Sequence, residues 1–97
     1  MPYVLQHKVS EQLFTCRLVN HYGLAYYGVK FWLEQDEAVE QFASLVEERL
    51  EQASHEWQVV EIEEREMKLC NVKLKNDPNL LVFWPHTRKP EVRKLEN

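Results

Sequence analysis

The sequence predicts an α+β fold, a mainly antiparallel sheet of four to five strands crossed by one long amphipathic helix over 36–54, with a shorter second helix over about 63–74. Three observations carry that reading. Apolar residues alternate with period two through the first third of the chain, the period changes to 3.6 from Asp36, and a short apolar run at 80–84 follows a turn-forming cluster. The element order is then βββαβαβ.

Residues 3–9 and 13–19 are rich in β-formers and flank the polar Ser10-Glu11-Gln12, the pattern of a hairpin. Tyr3, Leu5 and Val9 are expected to face the core in the first strand, and Phe14, Cys16 and Leu18 in the second. Asn20-His21-Tyr22-Gly23 supplies turn chemistry. The run 24–33 then carries the strongest β bias, with Ala25, Tyr27, Val29 and Phe31 inward and Tyr26, Lys30 and Trp32 on the opposite face. Gly28 inside it marks a bulge or a close backbone approach.

From Asp36, expected as the N-cap, Val39, Phe42, Ala43, Val46, Leu50 and Ala53 recur at helical spacing. Trp57 to Ile62 reads as a strand, and Glu64-Arg65-Glu66-Met67-Lys68-Leu69 starts the second helix. Residues 69–76 also fit one arm of a hairpin with 80–84, because Asn71 to Lys75 alternates polar and apolar; the helix is the preferred assignment. Pro85 to Pro90 ends regular structure. The expected domain therefore spans 1–86, and 87–97 forms a basic, flexible tail.

Composition narrows the function classes. With 97 residues, 44% hydrophobic and 29% charged, the chain has enough apolar side chains for one core and too many for a disordered protein. Its longest apolar runs fall far short of the roughly 20 residues that span a bilayer, so no membrane partner is expected. The N-terminus lacks the pattern of a secretory signal, and Cys16 and Cys70 stand far apart outside any Cys-x-x-Cys spacing. Free thiols and a cytoplasmic location follow as expectations.

Charge is segregated along the chain. Residues 1–33 hold three basic and one acidic side chain, 34–66 two and twelve, and 67–97 seven and three, within a net charge of −4. The acidic middle is first of all a solvated helix face, and the Glu40, Glu47, Glu51 stripe within it is a candidate docking face for a basic partner. Arg88, Lys89, Arg93 and Lys94 near the C-terminus are candidates for phosphate contact.

No catalytic signature stands out. His7 and Cys16 lie on neighbouring expected strands, but no third group orients the histidine and Cys16 faces inward. His7, His21, His55 and His86 show no metal-ligand spacing, and no Gly-rich phosphate loop is present. No metal, cofactor or catalytic residue is therefore assigned. The expected function is a small non-enzymatic module for protein interaction or self-association, with a homodimer formed through the aromatic strand. Its candidate surface is Tyr26, Lys30 and Trp32. The alternative is a nucleic-acid-binding accessory protein, using Lys30 and the four C-terminal cations with Tyr26 and Trp32 as stacking groups.

Overall fold

The computed structural model describes residues 1–50 and 52–95, the side chain of Leu50 excepted. Strands β1 (Tyr3–His7), β2 (Thr15–Val19), β3 (Ala25–Val29) and β4 (Phe31–Trp32) precede helix α1 (Gln35–Leu45), which runs on into a π-helical turn, Val46–Leu50. A 3₁₀ turn, Ser54–Glu56, leads into β5 (Trp57–Glu61), followed by α2 (Glu64–Leu74), β6 (Leu80–Phe83) and β7 (Glu91–Lys94). The fold is α+β with antiparallel strands, as the hydrophobic periods predict.

The strands form three small sheets instead of one continuous sheet. The central sheet has the order β4-β1-β5, and β2-β3 and β6-β7 are separate hairpins. The chain between β1 and β2 stitches them together: Phe14 N–H donates to the Leu5 carbonyl at 2.9 Å, Leu13 N–H to the Val82 carbonyl at 2.9 Å, and Lys30 N–H to the Phe14 carbonyl at 3.1 Å. The expected β1-β2 hairpin is thus reduced to a bridge at Gln6–Leu13, because the long partners of β1 are β5 and β4. Val9, expected inward, sits in the connecting turn at 85% exposure.

Each face of the central sheet carries its own core. On one side α1 covers Leu5, Phe14, Trp32 and Trp57 through Ala38, Phe42, Leu45 and Val46. On the other, α2 places Met67, Cys70 and Leu74 against Val4, Val29, Ile62, Val82 and Trp84. Burying such side chains is worth about 1.5–3 kcal/mol each. A buried amide joins the layers: Gln6 Nε2 donates to the Trp84 carbonyl at 2.6 Å, and Gln58 Nε2 donates to Gln6 Oε1 at 3.1 Å.

The two helices differ from expectation in opposite ways. α2 begins and ends where the sequence places it, because Glu63 and Glu66 form a reciprocal capping box and Lys75 takes the left-handed conformation that stops the helix. α1 starts one residue before Asp36, and Glu34 stands at its N-cap with no side-chain bond. Its inward face is Ala38, Phe42, Leu45 and Val46, so Val39 is 52% exposed and Ala53 is outside the helix. Both stripes obey helical spacing and share Phe42 and Val46. The structure buries the one that begins at Ala38, which is fully buried in the core with Trp32 and Trp57.

The C-terminal segment is the larger departure. Glu91–Lys94 pair antiparallel with β6 in the register Leu80–Lys94 to Phe83–Glu91, where a flexible tail was expected. The apolar side chains that draw it in are Val92, packed on the α2 core, and buried Pro90. The radius of gyration is 12.6 Å, close to the about 12.5 Å that size scaling gives for one compact unit of this length. Residues 96 and 97 lie outside the described range.

Candidate interaction surface

The β2-β3 hairpin carries three exposed apolar side chains close together in the chain, Val19, Tyr22 and Leu24. Its turn is set by Asn20, whose side-chain oxygen accepts from the N–H of Tyr22 at 2.9 Å and of Leu24 at 3.0 Å, while Gly23 at φ 79° closes the loop onto the Asn20 carbonyl. That geometry turns Tyr22 outward at 76% exposure, with Val19 at 68% and Leu24 at 63% beside it. The His21 ring lies against Tyr22 with centroids 4.0 Å apart and planes tilted by 41°.

Even-numbered residues of this hairpin share the α1 side of the molecule. Phe14 and Cys16 are covered by the helix and belong to its core, but Leu18 and Tyr26, paired across the strands, lie beyond it. They line an open groove of about 550 Å³ with Val19, His21, Lys30 and Phe31. A second groove of about 450 Å³ continues from Lys30 and Phe31 to Trp32, Leu33, Glu34 and Glu37 at the start of α1. Lys30 stands where the two meet, with its Nζ 5.2 Å from the centroid of the Trp32 ring.

The structure brings Tyr26, Lys30 and Trp32 onto one surface but changes the role of Trp32. Its ring is only 5% exposed, packed under α1, with Nε1 donating to Gln41 Oε1 at 2.9 Å. It is the floor of the groove and part of a second core, not a projecting anchor. The projecting side chains are Val19, Tyr22, Leu24 and, at 71% exposure, Leu33. Alternation along a strand reports which side chains share a face, and tertiary packing decides which of them are covered.

The C-terminal cations are set apart on the α2 side. Arg88, at φ 60°, donates from Nε to Glu66 Oε2 at 2.7 Å and from its terminal nitrogen to the other oxygen, with its guanidinium 5.5 Å from the Trp84 ring. Burial disfavours charge on Glu66. The hydrogen bonds from Arg88 and the Glu63 backbone, together with the Arg88 charge, outweigh that and hold the carboxyl below its usual range. Arg93 lies over the Phe83 ring at 4.5 Å, and Lys89 and Lys94 are exposed. Of the acidic stripe, Glu40 lies on α1 and Glu47 in the π-helical turn, both exposed, with Glu47 accepting from Ser54 Oγ at 3.3 Å; Glu51 lies outside the described residues.

His7 and Cys16 are each engaged elsewhere. His7 Nδ1 accepts from the N–H groups of Val9 and Ser10 at 3.2 and 3.1 Å, and its ring meets Trp57 edge-on. Burial pushes the Cys16 thiol up against the opposing pull of Lys30 and Arg49, and burial pushes Cys70 up to about 12. Both cysteines are free. Among the described residues, no three His, Cys, Asp or Glu side chains are placed to hold a metal ion, and no helix is long and apolar enough to cross a membrane. Comparison of the chain with protein-family models, curated proteins and solved structures finds no match.

Proposed function

We propose that the chain is a non-enzymatic protein-interaction module that docks a partner protein on the β2-β3 hairpin and its groove. The observation that carries this is the exposure of Val19, Tyr22 and Leu24 at one end of a groove floored by Tyr26, Phe31 and Trp32. Exposed apolar side chains beside a groove rimmed by polar groups favour an interface, and aromatic side chains supply much of the energy in interfaces. The charge pattern fits an apolar partner segment with a carboxylate toward Lys30 and a basic group toward Glu34 and Glu37.

A photo-crosslinking residue at position 24, used as bait in a nuclease-treated lysate, tests the reading. The expected result is a cross-linked protein that competes away with excess unlabelled chain and is lost from bait also carrying Tyr22→Ser or Lys30→Glu. Cross-links that ignore those substitutions would refute the hairpin site. Capture of nucleic acid with a steep salt dependence would replace it with the basic-surface reading through Lys89, Arg93 and Lys94.

A further inference from the structure

The α2 side of the molecule is open at one place, past the C-terminal end of its helix. Lys75 takes the left-handed conformation that stops α2. Between that end and the β6-β7 hairpin lies an open groove of about 420 Å³, lined by Lys73, Lys75, Leu80, Pro90 and Val92. Lys94 shares the face of Leu80 and Val92, because it stands opposite Leu80 in the strand register and two residues on from Val92. The groove is thus an apolar wall with three ammonium groups around it.

The cations on this side of the molecule fall into two groups. Arg65 pairs with Glu63, Lys68 with Glu64 at 3.5 Å, and Arg88 with Glu66, so those charges are answered within the chain. Lys73, Lys75 and Lys94 form no ion pair among the described residues, and no acidic side chain lines the groove. Lys73, in the last turn, complements the negative end of α2. Lys94 stands on a separate strand and has no helix end of its own to complement.

We propose that this groove docks an acidic peptide segment of a partner protein, one apolar side chain of the segment lying on Leu80, Pro90 and Val92 and its flanking carboxylates meeting Lys73, Lys75 and Lys94. Charge complementarity selects the occupant, since positive groups beside an apolar wall fit a ligand that is both anionic and apolar. A wholly apolar segment would desolvate the ammonium groups without pairing them. A nucleic acid would meet the charges, but no aromatic ring lines the groove for its bases, and the chain as a whole carries a net charge of −4. The hairpin groove lies on the α1 side, so the two sites are filled independently.

Fluorescence anisotropy of a labelled Glu-Asp-Glu-Leu-Glu-Asp-Glu peptide, titrated with the full chain, tests this, with backbone amide shifts locating the contact. The expected result is saturable binding that moves the amides of 73–80 and 90–94. Replacing the leucine of the peptide by serine is expected to weaken binding about tenfold. The double variant Lys73→Gln, Lys75→Gln is expected to weaken it about tenfold as well, and added salt to weaken it further. No binding at millimolar peptide, equal affinity for the leucine and serine peptides, an unchanged affinity in the lysine variant, or amide shifts centred elsewhere would each overturn the proposal. So would a single-stranded oligonucleotide that binds these lysines more tightly than the peptide, or a mass that grows with protein concentration and reverts in the lysine variant, which would put the acidic α1 face of a second copy in the groove. Both lysines are exposed, and if the variant does not fold, the two peptides and the amide shifts on the unaltered chain decide. Tyr22→Ser is expected to leave the peptide affinity unchanged, which separates this groove from the hairpin site.

Discussion

The two sides of the central sheet are finished differently. On the α2 side the backbone and charged groups are closed off within the chain: Asn71 and Asn76 end the β3 edge, Glu66 serves both a capping box and Arg88, and β7 lies over the helix. On the α1 side the helix has no side-chain N-cap and no basic residue in its last turn, and it leaves the hairpin groove uncovered. The comparison teaches that the surface free to bind something else lies where helical cover ends. The α2 side is the more closed because Tyr27 N–H, Val29 N–H, Glu66 and Arg88 there have partners within the chain.

The largest effect tests whether the α1 side is a true core despite its open margin. Trp57 is 2% exposed and meets Phe14 edge-to-face at 6.4 Å. Trp57→Ala is expected to cost about 3–5 kcal/mol, read as the midpoint shift in urea unfolding. A loss below about 1 kcal/mol would mean that α1 contributes little to stability.

Next comes the close approach of Gly28 on β3 to Asn71 on α2. A Cβ on Gly28 would lie 2.8 Å from Asn71 Oδ1 and 3.0 Å from Tyr26 Cε2. Gly28→Ala must therefore displace the side chain that accepts the Val29 N–H, costing about 1–3 kcal/mol. Combined with Asn71→Ala, the two losses should fall short of their sum, because both break the same bond. Strict additivity in a double-mutant cycle would remove Asn71 from the closure of that edge.

The Glu66–Arg88 pair sharpens the comparison through pH. The folded carboxyl titrates below its unfolded value of about 4.3, so its stabilisation is complete above that value and is lost as pH falls through the lower, folded one. Glu66→Gln should lower stability at neutral pH and flatten the acid limb of the stability profile. An unchanged acid limb would show that the pair does not hold residues 85–90. Smallest of all, Tyr22→Ser and Leu24→Ser are expected to shift stability by no more than about 0.5 kcal/mol, since both side chains already stand in water.

Much of the fold is legible in the chain. The change of period at Asp36, the turn chemistry of Asn20 to Gly23 and the apolar run at 80–84 mark most of the elements, but 24–33, read as one strand, divides into β3 and β4 in different sheets, and β7 is not foreseen. The identity of the inward stripe on α1 is not legible, because Val39 and Ala38 begin equally regular stripes and only packing against the sheet distinguishes them. The same limit affects the candidate surface. Tyr26, Lys30 and Trp32 share a face by parity alone, yet Trp32 is covered while Val19 and Leu24 project.

The sequence by itself determined the α+β class, the two helices and their order, and the separation of acidic middle from basic end, since these rest on periodicity and local propensity. Tertiary structure alone decided that β1 sits between β4 and β5, that Glu91–Lys94 form a strand, and that Arg88 is bound to Glu66. Those contacts join residues far apart in the chain. Their free energy depends on which surfaces meet, and no local pattern of residues encodes that.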